Sequence, residues 1–280
     1  MSPVRQDEGQ DRNTIRRLRR RITVVIPAKN EARNIGWVVE RLPSFIDELV
    51  IVDGRSTDRT VDVVLALRPD ALIVNDERPG KGAALRAGFA AASGEYVVML
   101  DADGSMDPQE IEHFIEALDR GADMAKGSRF LDGGGTADMS YLREAGNRGL
   151  LMLANILFGA SNTDLCYGFA AFRRQEIQDL DLDADGFEIE TQLFMRATRQ
   201  GLRVVEVPSF EAPRRFGTSN LNTFRDGWRV LMTMLRERMR AGARVLGTPS
   251  TSLIDHDPDR TGAFHVGPNV ASVPVETLTE

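Results

Sequence analysis

The chain has 280 residues, 42% of them apolar and 28% charged, which is ordinary for a soluble globular protein of one large or two small domains. A formal net charge of −7 argues against a nucleic-acid binder driven by counterion release, and a lone cysteine, Cys166, excludes an intrachain disulfide and points to a reducing compartment. The N-terminus carries no apolar h-region and the run Leu150–Phe158 is too short to span a bilayer, so a cytoplasmic protein is expected.

Residues 1–20 are polar and Arg-rich and are expected to form a disordered arm. From Ile22 strands and helices alternate. Ile22–Pro27 reads as a strand, Glu31–Leu42 as a helix, Glu48–Asp53 as a strand and Arg59–Leu67 as a helix. Ala71–Val74 follows as a strand, Ala83–Ala92 as a helix by propensity, and Glu95–Asp101 as a buried strand. Pro108 after Asp107 reads as the first residue of a helix running to about Arg120. This alternation predicts an α/β fold with a mostly parallel, Rossmann-like sheet flanked by helices.

Beyond Ala122–Arg129 the pattern loosens. Gly133–Ala137 reads as a flexible loop, Leu142–Phe158 and Phe187–Gln200 as helices, Gly168–Arg173 and Leu202–Val207 as strands, and Phe224–Arg240 as a last helix. Residues 21–246 are taken as one domain of two halves, 22–130 and 131–246. Residues 247–280 are expected to be disordered.

Acidic groups gather at or near the ends of the early strands: Glu31, Asp53, and the pair Asp101 and Asp103. Side chains at i and i+2 of a strand share a face, so Asp101 and Asp103 can meet one divalent cation. A D-x-D alone is more often a solvated turn, but here it follows the basic, Gly-bearing loop Arg78–Gly82, whose helix N-terminus could meet a phosphate. Ser56, Thr57 and Asp58 are good cappers of the helix that follows; Asp58 is assigned to capping and Asp53 to binding.

The segments PAKNEARNI, VDGRSTDRT, GKGAALRAGFAAASGEYVVMLDADG and GSRF, in this order, resemble the family-2 glycosyltransferases of the GT-A fold. Within them the chain is similar to the dolichyl-phosphate mannose synthase and polyprenyl-phosphate sugar transferase branch, over roughly residues 22–235. The resemblance implies that Pro27, Ala28, Glu31 and Asp53 contact the nucleotide and that Lys81, Ala102 and Arg129 belong to the nucleotide-sugar site. It also implies that Asp101 and Asp103 hold Mg²⁺ or Mn²⁺, with Asp103 the principal ligand. Asp164 and Gly168 match the acceptor-side segment, and Glu188 stands where the family carries an acidic residue near the sugar. Arg214, Gly217 and Ser219 match the element that closes over the diphosphate.

Two residue-level departures stand out: Gly104 and Ser105 follow the D-x-D where the mannose synthases carry Leu and Gln, and Asn220 replaces a Lys. Read without the resemblance, Glu188 stands open between a catalytic base and a solvated helix face, and Cys166 reads as a small buried hydrophobe.

The function expected is an inverting, metal-dependent transfer from a UDP- or GDP-linked sugar to an acceptor such as a polyprenyl phosphate. Three alternatives stand beside it: transfer to a small soluble hydroxyl acceptor, a sugar-1-phosphate nucleotidylyltransferase, and an inactive nucleotide-sugar-binding module. Residues 224–244 hold six Arg against two acidic residues, interleaved with Trp228, Val230, Leu231, Met234 and Leu235. That helix is read as packing its apolar stripe on the domain or a homodimer partner, with peripheral contact to an inner membrane face as the competing use.

Overall fold

The computed structural model describes residues 20–137, 139–218 and 222–245, with side chains to 240 in the last span. The expected arm (Arg20 aside), the expected tail, Ser219 and Asn220 lie outside the described residues.

Seven strands form one sheet in the order β3-β2-β1-β4-β7-β5-β8. They are β1 (Ile22–Ala28), β2 (Glu48–Asp53), β3 (Leu72–Asn75), β4 (Tyr96–Met99), β5 (Met124–Ser128), β7 (Ala170–Arg173) and β8 (Val204–Pro208). Only β7 runs antiparallel, wedged between β4 and β5; the other pairs in the sheet are parallel. The mostly parallel sheet is thus as expected. A second, two-stranded sheet pairs β6 (Gly135–Thr136) with β9 (Phe210–Glu211), so the Gly133–Ala137 loop is partly strand.

Strand side chains alternate between two cores. Val24, Ile26, Leu49, Ile51 and Val98 face one side and pack with α1 (Ile35–Glu40) and α4 (Ile111–Asp119). Val25, Val50, Val52, Val97 and Met99 face the other, against α3 (Lys81–Ala91) and α7 (Ile189–Arg199). Burial on both faces is why these strands read as continuous apolar runs instead of alternating ones. Asp107 takes a hydrogen bond from Gln109 N and starts a 3₁₀ turn at Pro108–Glu110 that runs into α4.

The remaining helices are α2 (Thr60–Leu67), α5 (Tyr141–Phe158), α6 (Arg174–Gln178) and α8 (Thr223–Val245). Short α6 was not anticipated, since RRQEIQ carries only one apolar residue to reveal its period. α5, α7 and α8 meet around Ala154, Leu165, Phe194, Met195, Val230 and Met234. An ion-pair cluster pins α8 to α7: Glu237, fully buried, accepts from Arg196 Nε at 2.9 Å and Gln192 Nε2 at 3.1 Å, and pairs with Arg199 at 3.1 Å. No helix among the described residues is long and apolar enough to cross a membrane.

Candidate active site

The parallel strands β1, β2 and β4 end side by side, and the segments that leave them line a cavity of about 820 Å³. This is where open α/β sheets bind ligands. Asn30 and Arg55, each just past a strand end, hold left-handed backbone (φ 57° and 62°), and both line the cavity. Strained positions of this kind gather at functional sites. The two turns are laced together: Asn30 N donates to Ser56 Oγ at 2.9 Å, and Thr57 N to Asn30 Oδ1 at 2.8 Å.

Pro27, Ala28 and Glu31 line the cavity. Asp53 does not; its carboxylate accepts from Ser56 N at 3.1 Å and so props the turn whose Gly54 and Arg55 line the cavity. Asp58 stands one residue before the N-cap, Arg59, and its carboxylate accepts from Thr60 N at 3.0 Å at the helix start.

Asp101, Ala102 and Asp103 follow β4 into the cavity. The Lys81 ammonium lies 2.6 Å from Asp101 Oδ1 and 2.6 Å from Glu190 Oε1. Arg214 bridges Asp103, at 3.5 Å, and Glu31. Ser105 fixes Asp103 further, donating from its N at 3.0 Å and from its Oγ at 2.7 Å. Burial pushes the Asp101 carboxyl up; Lys81 pulls against it, and the charges of Asp103 and Glu190 add to the rise. Gly104 has φ 74°, and a Cβ there would collide with the Arg215 side chain, so glycine follows from the turn itself.

Among the described residues no group of three or more His, Cys, Asp or Glu could cage a metal ion. Mg²⁺ needs no such cage, since it binds through one or two carboxylates together with substrate phosphates. Asp101 and Asp103 are hard oxygen donors whose partners here, Lys81 and Arg214, are already cations. The pair fits such an ion.

The Arg78–Gly82 loop does not form the phosphate cradle that the sequence suggested. The N–H groups of Gly82 and Ala83 at the start of α3 donate to Asp185 O, at 2.8 and 3.3 Å. A Cβ on Gly80 would stand 2.1 Å from that same carbonyl oxygen, so its glycine serves close packing. Lys81 alone carries the loop's charge to the acidic pair.

Glu188 is also turned away. Its Oε1 accepts from Gly186 N at 3.1 Å, its Oε2 is buried without a hydrogen-bond partner, and it does not line the cavity. Glu190 lines it instead, held by Lys81. At about 100° per residue, positions two apart at a helix start point to different sides. Gly168 leaves the room this needs, since a Cβ there would lie 2.7 Å from Glu190 Oε1 and 2.8 Å from Lys81 Nζ.

Arg129 reaches the cavity edge, yet its guanidinium is taken up. It donates to Asp164 at 2.7 and 2.9 Å, to Glu211 at 2.9 Å and to Cys166 O at 3.3 Å. Burial alone would raise the Asp164 carboxyl, but the Arg129 hydrogen bonds and the Lys126 charge outweigh it and hold it below its usual range. Cys166 is only half-buried and lines the cavity, not the fully buried side chain expected; desolvation and the charge of Glu190 push its thiol up to about 11, which suits an inert side chain better than a nucleophile.

The outer wall comes from α5 and α8: Arg143, Asn147 and Leu150 on one, Thr223, Asp226 and Val230 on the other. Asn147 donates to Asp164 Oδ1 at 3.4 Å, while its own Oδ1 is buried with no hydrogen-bond partner among the described residues.

A family model described as glycosyl transferase family 2 matches residues 23–180, more than half of the chain. The chain belongs to this family. It is therefore a glycosyltransferase of GT-A architecture. It is 32% identical over 230 residues to the polyprenol monophosphomannose synthase of Mycolicibacterium smegmatis, covering 78% of this chain and 86% of that protein. It is 29% identical to the undecaprenyl-phosphate mannosyltransferase of Micrococcus luteus, covering 72% and 88%. Among solved structures it resembles glucosyl-3-phosphoglycerate synthase from Mycobacterium tuberculosis in complex with Mn²⁺, UDP and glucosyl-3-phosphoglycerate. That likeness has a TM-score of 0.66 at 24% identity, covers 89% and 88% of the two chains, and shows the shared fold.

Among the site residues of this glycosyltransferase that escaped sequence reasoning are Glu190, Ser105 and Asn147. Ser105 carried a signal, a hydroxyl two residues after an Asp, which is the spacing of a local side-chain turn. Glu190 lay within the GFEIE segment, but nothing local distinguishes it from Glu188. Asn147 gave no signal, because its neighbours on the cavity wall come from distant segments.

Proposed function

We propose that the protein transfers a sugar from a UDP- or GDP-linked donor to a polyprenyl phosphate, with inversion at the anomeric carbon and a Mg²⁺ or Mn²⁺ ion bound by Asp101 and Asp103. The observation that carries this reading is the pair of carboxylates at the end of β4, each already matched by a cation inside one large cavity. When bound, the ion would supply positive charge to the diphosphate of the donor.

The chain's own residues are assigned as follows. Pro27, Ala28 and the strained turns at Asn30 and Arg55 receive the nucleoside, with Asp53 holding the second turn in shape. Arg214 meets the departing diphosphate, where preorganised positive charge lowers the barrier most. Lys81 and Glu190 border the sugar, Glu190 accepting from a sugar hydroxyl and Lys81 fixing its orientation. The acceptor oxygen attacks from the face opposite the diphosphate; the new C–O bond forms as the old one breaks, and the electron pair leaves on the diphosphate. A phosphate acceptor is already largely ionised near neutral pH, its second pKa being about 6, so no strong base is required. Arg129 supports the wall from within. The names of the two curated relatives support the acceptor class, and the unsatisfied Asn147 Oδ1 supports a ligand with a hydroxyl on that side.

The test is transfer from UDP- and GDP-linked sugars to polyprenyl phosphate with Mn²⁺, followed by NMR of the product's anomeric configuration. Lipid-linked product of inverted configuration is expected. Transfer only to a small hydroxyl acceptor would replace the acceptor assignment, and nucleotide-sugar synthesis from a sugar phosphate would replace the reaction.

A further inference from the structure

The apolar stripe foreseen on the last helix divides in two. Val230 and Met234 are buried against α5 and α7, as a core-facing stripe should be. On the opposite side, Phe224, Trp228, Met232, Leu235 and Met239 all stand exposed, Phe224 at 77%, Trp228 at 62% and Met239 at 68%. At 3.6 residues per turn these five positions fall within an arc of roughly 80°. Arg225, Arg229 and Arg236 flank that arc on one side and Arg238 on the other, all of them exposed.

Both acidic residues of the stretch 224–244, Asp226 and Glu237, are buried on the inward side. The solvent surface of α8 is therefore apolar and arginine-rich, in a protein whose formal net charge is −7. An exposed apolar face of this kind marks an interaction surface. Its charge chooses among occupants. A second copy packed about a twofold axis would set arginine against arginine, whereas an anionic surface would match every one of them.

The same helix also serves the cavity. Thr223, Asp226 and Val230 line it while Phe224 and Trp228 face outward in the same two turns. α5, packed beside α8, repeats the arrangement, with Asn147 and Leu150 in the cavity wall and Leu142, Met152 and Ile156 exposed.

We infer that the outward face of α8 docks on an anionic phospholipid bilayer, and that α5 and α8 form the wall through which a membrane-held acceptor phosphate reaches the active site. The inference deepens the lipid-phosphate reading and rests on it for the second clause only. Apolar side chains enter the headgroup boundary, and arginines pair with anionic headgroups.

The full chain is tested by co-sedimentation with phosphatidylglycerol-containing vesicles and with pure phosphatidylcholine vesicles, at low and high salt, without any acceptor or donor. Salt-sensitive binding to the anionic vesicles, at least about tenfold tighter than to neutral ones, is expected. One arginine at an anionic surface is worth about fivefold, so Arg236→Glu with Arg238→Glu should cost at least about tenfold. Phe224→Ser with Trp228→Ser should weaken binding by a similar factor. None of these four residues lines the cavity, so transfer to a short, water-soluble polyprenyl phosphate should be unchanged, and transfer to vesicle-embedded acceptor should fall.

Equal binding of wild type and both double variants would overturn the docking face, as would no binding to anionic vesicles at low salt. A dimer in sedimentation velocity that these substitutions dissociate would assign the face to a second copy and overturn the bilayer assignment. Vesicle binding with no transfer to either polyprenyl phosphate would leave the docking face standing and remove the acceptor reading.

Discussion

Two charge clusters in this molecule use the same residue types with opposite consequences. Beside α7, Arg196 and Glu237 pair at side-chain exposures of 3% and 0%, with further arginines closing around the carboxylate. Around the cavity, Lys81, Asp101, Arg214 and Asp103 keep exposures of 11%, 26%, 17% and 23%. In the first cluster the central pair, Arg196 and Glu237, is saturated and sealed, so that pair can only hold α8 in place. The second borders the cavity, so its carboxylates stay within reach of whatever enters it, which is the basis of the metal assignment proposed above. Arg129 and Asp164, at 4% and 0%, belong with the first by this criterion, although they sit at the edge of the second.

The sharpest way to break the comparison is to remove one member from each cluster. Glu237→Ala leaves Arg196 buried without its counter-ion, and breaking such a pair costs about 3–5 kcal/mol. Thermal unfolding should show a large fall in Tm, while nucleotide-sugar affinity of the remaining folded protein stays near wild type. A stable variant with lost affinity would reverse the assignment of the clusters.

Asp103→Ala should act the other way, with the melting temperature little changed and transfer reduced by about 10²–10³-fold, the usual cost of losing one preorganised electrostatic group. Asp101→Ala should be nearly as severe. Steady-state transfer rates with Mn²⁺ check both, and wild-type rates in either variant would remove the metal assignment.

A finer test separates two glutamates two residues apart. Glu190→Gln should lower kcat/KM by roughly ten- to a hundredfold, as expected for one charge-assisted hydrogen bond of about 1.5–3 kcal/mol. Glu188→Gln should stay within about threefold by the same kinetic assay, because its carboxylate is turned to Gly186. The reverse order would restore Glu188 as the group near the sugar.

The smallest expected effect is a pH dependence. Burial would raise the Glu237 carboxyl, but hydrogen bonds and charge from Arg196, with Gln192 and Arg199, hold it below its ordinary value. Its stabilisation is therefore complete above the unfolded value of about 4.3 and is lost as pH falls through the lower folded one. The gap in Tm between wild type and Glu237→Gln should be widest above about pH 5 and should narrow below about pH 4. A gap independent of pH would mean that packing, not charge, accounts for the pair.

Most of this fold was legible in the sequence because burial on both faces writes itself locally. Ile22–Pro27, Glu48–Asp53 and Glu95–Asp101 are apolar runs that could only be strands of a covered sheet, and the acidic residues at their ends announced the site. Order along the chain also identified the family. What remained hidden depended on distant segments. The antiparallel insertion of β7 is decided by pairing with β4 and β5, which no local pattern records. Glu190 and not Glu188 enters the cavity because Lys81 arrives from another helix and Gly168 leaves it room. Arg129 was placed in the nucleotide-sugar site by resemblance, yet Asp164 and Glu211 close around it, and the Arg78–Gly82 loop looked like a phosphate site until the Asp185 carbonyl filled the helix start. A side chain's type is local, whereas its burial and partners are set by segments 20 to 100 or more residues away, and that is what tertiary structure decides: Lys81 meets Glu190 across a separation of 109.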